Sequence, residues 1–219
     1  MMITTSQREL SEKFHAMRVA FQQDGIASRE IRTDRIDRAI ALLVDNQEAI
    51  CAALAADFGC RSKYMTLMSE ILICVSSLKN VKKNLKKWMQ PERRKALFPM
   101  NLFGARALVH YQPKGVVGII APWNVPFGAA FSPLADALGA GNRCMIKPSE
   151  FTPHSATLMT RLIAEYFAPT EVVVCPGDAE IGESFSALPF DHLVFTGSTQ
   201  VGRQVMAAAA KNLTPVTLE

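Results

Sequence analysis

Four stretches of this chain carry side chains that could do chemistry, and each falls where an apolar run gives way to a turn. The first is Ala121-Pro122-Trp123-Asn124-Val125-Pro126-Phe127. Its two prolines fix φ and restrict the residues before them, so Trp123 and Asn124 stand on a stiff loop. A primary amide held in this way can donate to a developing oxyanion. It can equally satisfy backbone groups of its own turn, and spacing leaves both readings open. The second stretch is Lys147-Pro148-Ser149-Glu150-Phe151-Thr152-Pro153. Here Thr152 and Pro153 suit the N-cap and first position of a helix, leaving Lys147 and Glu150 at a strand end and in a tight loop. A cation and a carboxylate so placed suit ribose hydroxyls and phosphate; taken singly, each also reads as an ordinary surface charge.

The third stretch, Phe195-Thr196-Gly197-Ser198-Thr199-Gln200-Val201-Gly202, runs from strand to helix through small residues. Gly197 lets backbone approach a ligand, Ser198 or Thr199 can cap, and the free N–H groups of the first helical turn favour a phosphate. The sequence is neither GxGxxG nor GxxxxGK[ST], so a P-loop or a standard dinucleotide fingerprint is not supported, and a plain capped turn is the simpler reading of this stretch alone. The fourth is Glu219, after Pro215-Val216-Thr217-Leu218. A carboxylate ending a buried strand is a candidate general base, because desolvation would raise its pKa; on position alone it is equally a solvated terminal residue.

The elements that must position these residues change character along the chain. From Ser6 to about Gln90 the apolar period is helical. Leu10, Phe14, Met17 and Phe21 form one stripe, and Ile36, Ile40 and Leu43 form another after Thr33, a candidate N-cap. Asp45 can cap a further helix closed by Gly59. A long helix over Met65–Trp88 sets Leu78, Val81, Leu85 and Trp88 against Lys79, Lys82, Lys83, Lys86 and Lys87. We read that lysine face as solvated rather than as a docking surface for an acidic partner or a membrane. Pro91–Gly104 is a connection.

From Ala105 onward, strand candidates alternate with helical runs. The strands are Ala107–Tyr111, Val116–Ala121, Cys144–Ile146, Val172–Cys175, His192–Thr196 and Val216–Leu218. The helices lie near Gly128–Leu138, Pro153–Phe167, Ala179–Ala187 and Thr199–Asn212. Consecutive apolar positions, as in VVGIIA, mark strands covered on both faces. The expected fold is therefore α/β, a doubly wound, mostly parallel, Rossmann-like sheet over residues 105–219, preceded by a helical layer over 1–104 that packs on it. In such sheets ligands bind beyond the carboxyl ends of the strands, where all four stretches fall.

Composition agrees. Of 219 residues 49% are hydrophobic and 20% charged, which supports a sizeable core and excludes general disorder. A net charge of +4 does not argue for nucleic acid. Five unpaired-looking cysteines and four scattered histidines support neither a disulfide frame nor a metal site. The polar, charged start and the short apolar runs give no sign of a signal sequence or membrane span, so a cytoplasmic protein is expected.

In combination the motifs are far more specific. GVVGIIAPWNVPF, IKPSEFTP and FDHLVFTGSTQVGRQVMAAAAKNLTPVTLE, in that order, resemble the cofactor-binding part of the NAD(P)-dependent aldehyde dehydrogenase superfamily. The branch with fatty and coniferyl aldehyde dehydrogenases is the most similar, and the likeness covers about Tyr111 to Glu219. It implies oxidation of an aldehyde, aromatic or long-chain, to its acid with NAD or NADP. Asn124 would be the oxyanion donor and Glu219 the base that activates water. Backbone at Ile120, Ala121, Pro122 and Trp123 would lie along the cofactor. Lys147 and Glu150 would contact the adenosine ribose, Glu150 favouring NAD, with Gly197, Ser198 and Thr199 against the pyrophosphate and Val201 near the adenine. A homodimer is implied for the full-length protein. The family's nucleophilic cysteine lies after the glutamate, so the resemblance reads as an N-terminal fragment, inactive alone, which should expose an apolar surface where a second domain docks. The alternative is a non-catalytic nucleotide-binding or interaction protein, and a CoA-acylating or semialdehyde-specific member shares the same motifs.

Overall fold

In the computed structural model, which describes residues 4–219, the second half of the chain forms a five-stranded sheet. Its strands are β3 (Val116–Ile120), β4 (Arg143–Lys147), β5 (Val172–Val174), β6 (His192–Phe195) and β7 (Val216–Leu218), in the order β5-β4-β3-β6-β7. Every neighbouring pair is parallel. The chain winds outward from β3 in one direction and then returns to β3's other side, which puts a topological switch between β3 and β6.

Alternate residues of the strands feed two separate cores. Val117, Ile119, Cys144 and Ile146 face one side, where they meet helices α2 (Arg29–Asp45), α3 (Gln47–Phe58), α5 (Ile73–Trp88), α6 (Pro126–Ala140) and α7 (Pro153–Tyr166). Val116, Met145, Leu193 and Phe195 face the other, under α1 (Gln7–Asp24), α8 (Ala179–Ser186) and α9 (Thr199–Ala210). Burial on both faces is what the unbroken apolar runs require. Gly118 sits where a Cβ would come within 2.7 Å of both Leu193 and Phe190, so the tight second face leaves no room for a side chain there.

The helical layer follows its apolar periods, with corrected boundaries. Leu10, Phe14 and Met17 are buried along α1, and a reciprocal cap between Ser6 and Glu9 starts the helix. Thr33 is not an N-cap: α2 begins at Arg29, where the Ser28 hydroxyl accepts the Ile31 N–H at 3.3 Å. Nor does Asp45 cap α3, since α2 runs through it and Asn46 separates the two helices without a side-chain cap. Gly59 closes α3 at φ 72°, as its type suits.

The long helix expected over Met65–Trp88 is broken by a π-turn at Leu67–Leu72 between α4 (Lys63–Thr66) and α5. Leu78, Val81 and Leu85 are buried in α5, whereas Trp88 is half exposed. All five lysines lie on the solvated face, with Lys82 paired to Asp37 at 2.6 Å. Pro91–Gly104 also holds more than a connection. Strand β1 (Glu92–Arg94) within it pairs antiparallel with β2 (Ala107–Val109), so Ala107–Tyr111 does not join the main sheet.

Candidate functional site

Register brings the four stretches to one rim. Ile120 ends β3 opposite both Lys147 of β4 and Phe195 of β6, and Phe195 lies opposite Leu218 of β7. With strands about 4.8 Å apart, the turns that leave Ile120, Lys147, Phe195 and Leu218 start side by side. Ala121 is buried, Pro122 half-buried, and Trp123 and Asn124 are exposed on that rim.

Lys147 is not a surface charge. Its side chain is buried, and its ammonium donates to the Pro148 carbonyl at 2.9 Å and to Glu150 at 3.1 Å. That contact fixes the turn and leaves the Glu150 carboxylate half-buried at the edge. Thr152 does not cap α7; its buried hydroxyl has no partner among the described residues. The Asp57 carboxylate of α3 takes that place, accepting the His154 and Ser155 N–H groups at 2.9 and 2.8 Å. A distant acid can substitute for a local cap because the first-turn amides of a helix attract any anion placed there.

The same device recurs around the rim with one exception. At α6 the N–H of Gly128 donates to the buried Glu70 at 2.7 Å. At α8, Asp178 accepts the Ile181 N–H at 3.2 Å, and Glu180 adds charge in the first turn. At α9 the cap is the neutral Ser198 hydroxyl, accepting from Val201 at 3.3 Å, with no acid in the first turn. Gly197, Ser198, Thr199 and Val201 are exposed there. Of the four helices that leave the rim, α9 alone has no carboxylate among the described residues hydrogen-bonded to its first-turn amides, which suits it to an anionic ligand.

Glu219 lies next to this turn. Its carboxylate accepts from the Thr196 hydroxyl at 3.3 Å and its carbonyl from the Gly197 N–H at 3.1 Å. Strand β7 is half-buried only at Val216, and Glu219 is exposed, so the desolvated setting expected for a base is not supplied by the described residues. Burial pushes the Cys74 and Cys144 thiols up to about 12 and that of Cys175 to about 11. Those three are poor thiolates.

One set of residues near the site had no motif to announce it. Arg61 donates to the Asn124 carbonyl at 2.7 Å and to Glu70 at 2.6 Å, and its guanidinium lies 4.8 Å from the Phe58 ring centre. The Phe58 ring in turn lies 6.3 Å from that of Trp123. The one available signal was a charged residue, Glu70, at a position the helical period would bury.

A parallel sheet wound in two directions from β3, covered on both faces and carrying its loops at one rim, defines a Rossmann-like α/β protein. The chain belongs to the aldehyde dehydrogenase family, whose model matches residues 3–219. It is 52% identical over 211 residues to coniferyl aldehyde dehydrogenase of Pseudomonas sp. (strain HR199 / DSM 7063), covering 96% of this chain and 43% of that relative. To a probable coniferyl aldehyde dehydrogenase of Caulobacter vibrioides it is 46% identical, over 96% of this chain and 44% of the relative. Among solved structures, substrate-bound AldH of Staphylococcus aureus superposes with a TM-score of 0.91 at 36% identity, over 96% of this chain and 45% of that one. Mycobacterium tuberculosis aldehyde dehydrogenase, solved with NAD+, gives 0.86 at 28% identity over 99% and 44%. The chain thus spans less than half the length of these relatives.

Proposed function

We propose that the protein carrying this chain oxidises an aldehyde, aromatic such as coniferyl aldehyde or long-chain, to its acid with NAD or NADP, and that residues 105–219 hold the dinucleotide. The observation that carries this reading is the rim itself: Asn124, Lys147 with Glu150, and the serine-capped N-terminus of α9 leave three neighbouring strand ends. These residues fit a dinucleotide. The α9 amides and Ser198 would take the pyrophosphate, and Gly197 keeps that turn free of a side chain. Lys147 and Glu150 would receive the adenosine ribose, Glu150 accepting a hydrogen bond from the 2′-hydroxyl where a 2′-phosphate would be repelled, which favours NAD. The strip Ile120–Trp123 would line the path between, with Val201 beside the adenine. The cofactor, when bound, supplies the hydride acceptor.

The chain's own residues have two further tasks. The Asn124 amide donates to the oxygen that becomes negative as a nucleophile adds to the aldehyde carbonyl. Glu219 takes a proton from the water that releases the acid, in a setting more enclosed than its present exposed one. None of the five cysteines stands in a motif matching the family nucleophile, so the thiolate that attacks the carbonyl would come from chain beyond position 219, and this chain alone would bind nucleotide without turnover. The test is aldehyde-dependent NADH formation by this chain and by its coding sequence continued past Glu219, with coniferyl and long-chain aldehydes and with NAD+ and NADP+. Turnover only in the continued form is expected. Absence of turnover with every pairing would overturn the reading in favour of a non-catalytic binding protein.

A further inference from the structure

Three features tie a buried ion pair to the loop that carries Asn124. The Arg61 side chain is largely buried and bridges two elements: one nitrogen donates to the Asn124 main-chain carbonyl at 2.7 Å, another to Glu70 at 2.6 Å and to the Ser69 hydroxyl at 3.1 Å. Glu70 is fully buried and spends its second oxygen on the Gly128 N–H at 2.7 Å, in the first turn of the helix that follows Asn124. The π-turn at Leu67–Leu72 is the element that presents Glu70 to that helix end, and widened turns of this kind are frequent at functional sites. Asn124 therefore sits between two anchors of one ion pair, its own carbonyl and the amide four residues on. Its side-chain amide is left free at the exposed rim.

We propose that Arg61 and Glu70 are positioning residues that hold the Asn124 loop in the geometry in which its side-chain amide meets the developing oxyanion. This rests on the aldehyde-oxidising reading for its chemical consequence. The physical basis is that an oxyanion donor is worth most when it needs no reorganisation during the reaction, and loss of about 1 Å in placement is enough to cost catalysis heavily. Prolines at 122 and 126 stiffen the loop locally, but they cannot fix its orientation on the sheet; an arginine that donates through one nitrogen to the loop and through another to a buried carboxylate can. Burial raises the Glu70 pKa above the ordinary carboxylate value, and the Gly128 and Phe127 amides and Arg61 offset part of that rise.

The test uses this chain, uniformly labelled, without nucleotide or aldehyde, and reads backbone 15N order parameters at Trp123, Asn124 and Val125. The parent is expected near the rigid value of about 0.85, falling below about 0.6 in Arg61→Met. Arg61→Lys keeps a cation within reach of the Asn124 carbonyl and should recover about half of the loss. Glu171→Gln breaks a different ion pair, with Arg35 and Arg38, and should lower the melting temperature without moving these three residues. Should Arg61→Met not fold, Glu70→Gln carries the same expectation. The proposal is overturned if the loop stays rigid in the folded Arg61 or Glu70 variant, or if Glu171→Gln loosens it equally. Such a result would leave the dehydrogenase reading intact, whereas failure to oxidise any aldehyde would leave the clamp intact.

Discussion

At the scale of single residues, chemistry and position separate cleanly. Asn124 is exposed and its carbonyl is already engaged by Arg61, and the proposed function gives its side-chain amide the oxyanion. In the form of the protein that turns over, Asn124→Ala should lower kcat by roughly 10²- to 10³-fold, with little change in the KM for dinucleotide, as loss of one oxyanion donor does elsewhere. Steady-state kinetics at saturating nucleotide would read it, and a wild-type kcat would remove Asn124 from the mechanism. The cysteines make a second residue-scale prediction. Cys60 is exposed and Cys51, Cys74, Cys144 and Cys175 are buried, so a thiol reagent should modify one group quickly and the other four only on unfolding. Fast modification of Cys144, in β4, or of Cys175, just past β5, would contradict their burial. The exposed amide and the strand-end lysine were legible in the sequence because proline and β-rich runs announce them. The link from the Arg61–Glu70 pair to Asn124 was not, because nothing local ties a turn after α3 to a loop 63 positions on; only the folded chain brings them together.

At the scale of elements, the strands and helices of the second half follow from apolar runs and turn chemistry, and their boundaries move by only a few residues. Three of the failures share one cause, tertiary contacts that override local signals. Thr152 carries the local signature of a cap, yet Asp57 takes the α7 amides from another helix. The helical period of Met65–Trp88 is real, yet the contact of Glu70 with α6 coincides with a π-turn inside it. Ala107–Tyr111 looks like its neighbours in composition, but its partner, Glu92–Arg94, is a charged segment with no strand pattern to read. A packing test belongs here. Gly118→Ala would place a Cβ within 2.7 Å of Leu193 and Phe190, so urea unfolding should show a loss of about 1–3 kcal/mol; an unchanged midpoint would contradict the packing described for β3.

Electrostatics binds the layers as well. Burial opposes the charge of Glu171, but hydrogen bonds from Arg38 and Arg35 outweigh it and hold the carboxyl at about 2. Its folded pKa lies below the ordinary carboxylate value, so its contribution is present above about pH 4.5 and is lost as pH falls toward 2, on the order of 3 kcal/mol. Glu171→Gln should be less stable at neutral pH and should flatten that acid limb; matching acid profiles for the two proteins would contradict the ion pair.

At the scale of the molecule, one rim collects chemistry while another edge is left open. Strand β7 pairs with β6 alone among the described residues and carries the exposed Leu218. Leu97, Phe98 and Phe103 are largely exposed beyond β1. An uncovered parallel edge and apolar side chains of this kind favour association, so the sedimentation coefficient of this chain should rise with concentration, and a concentration-independent monomer would count against it. The doubly wound architecture was legible because its strands are apolar on consecutive positions; which strand sits centrally was settled only by the register. The proposed nicotinamide dinucleotide lies across the β3, β4 and β6 exits with its phosphates on α9. With Trp88 replaced by Phe, emission from Trp123 reports on that rim alone. Titration with NAD+ should quench it saturably, and Ser198→Asp, which still caps α9 but sets a carboxylate at its N-terminus, should weaken binding by at least about tenfold, an energy of roughly 1.4 kcal/mol. Absence of quenching, or an unchanged curve in Ser198→Asp, would contradict it.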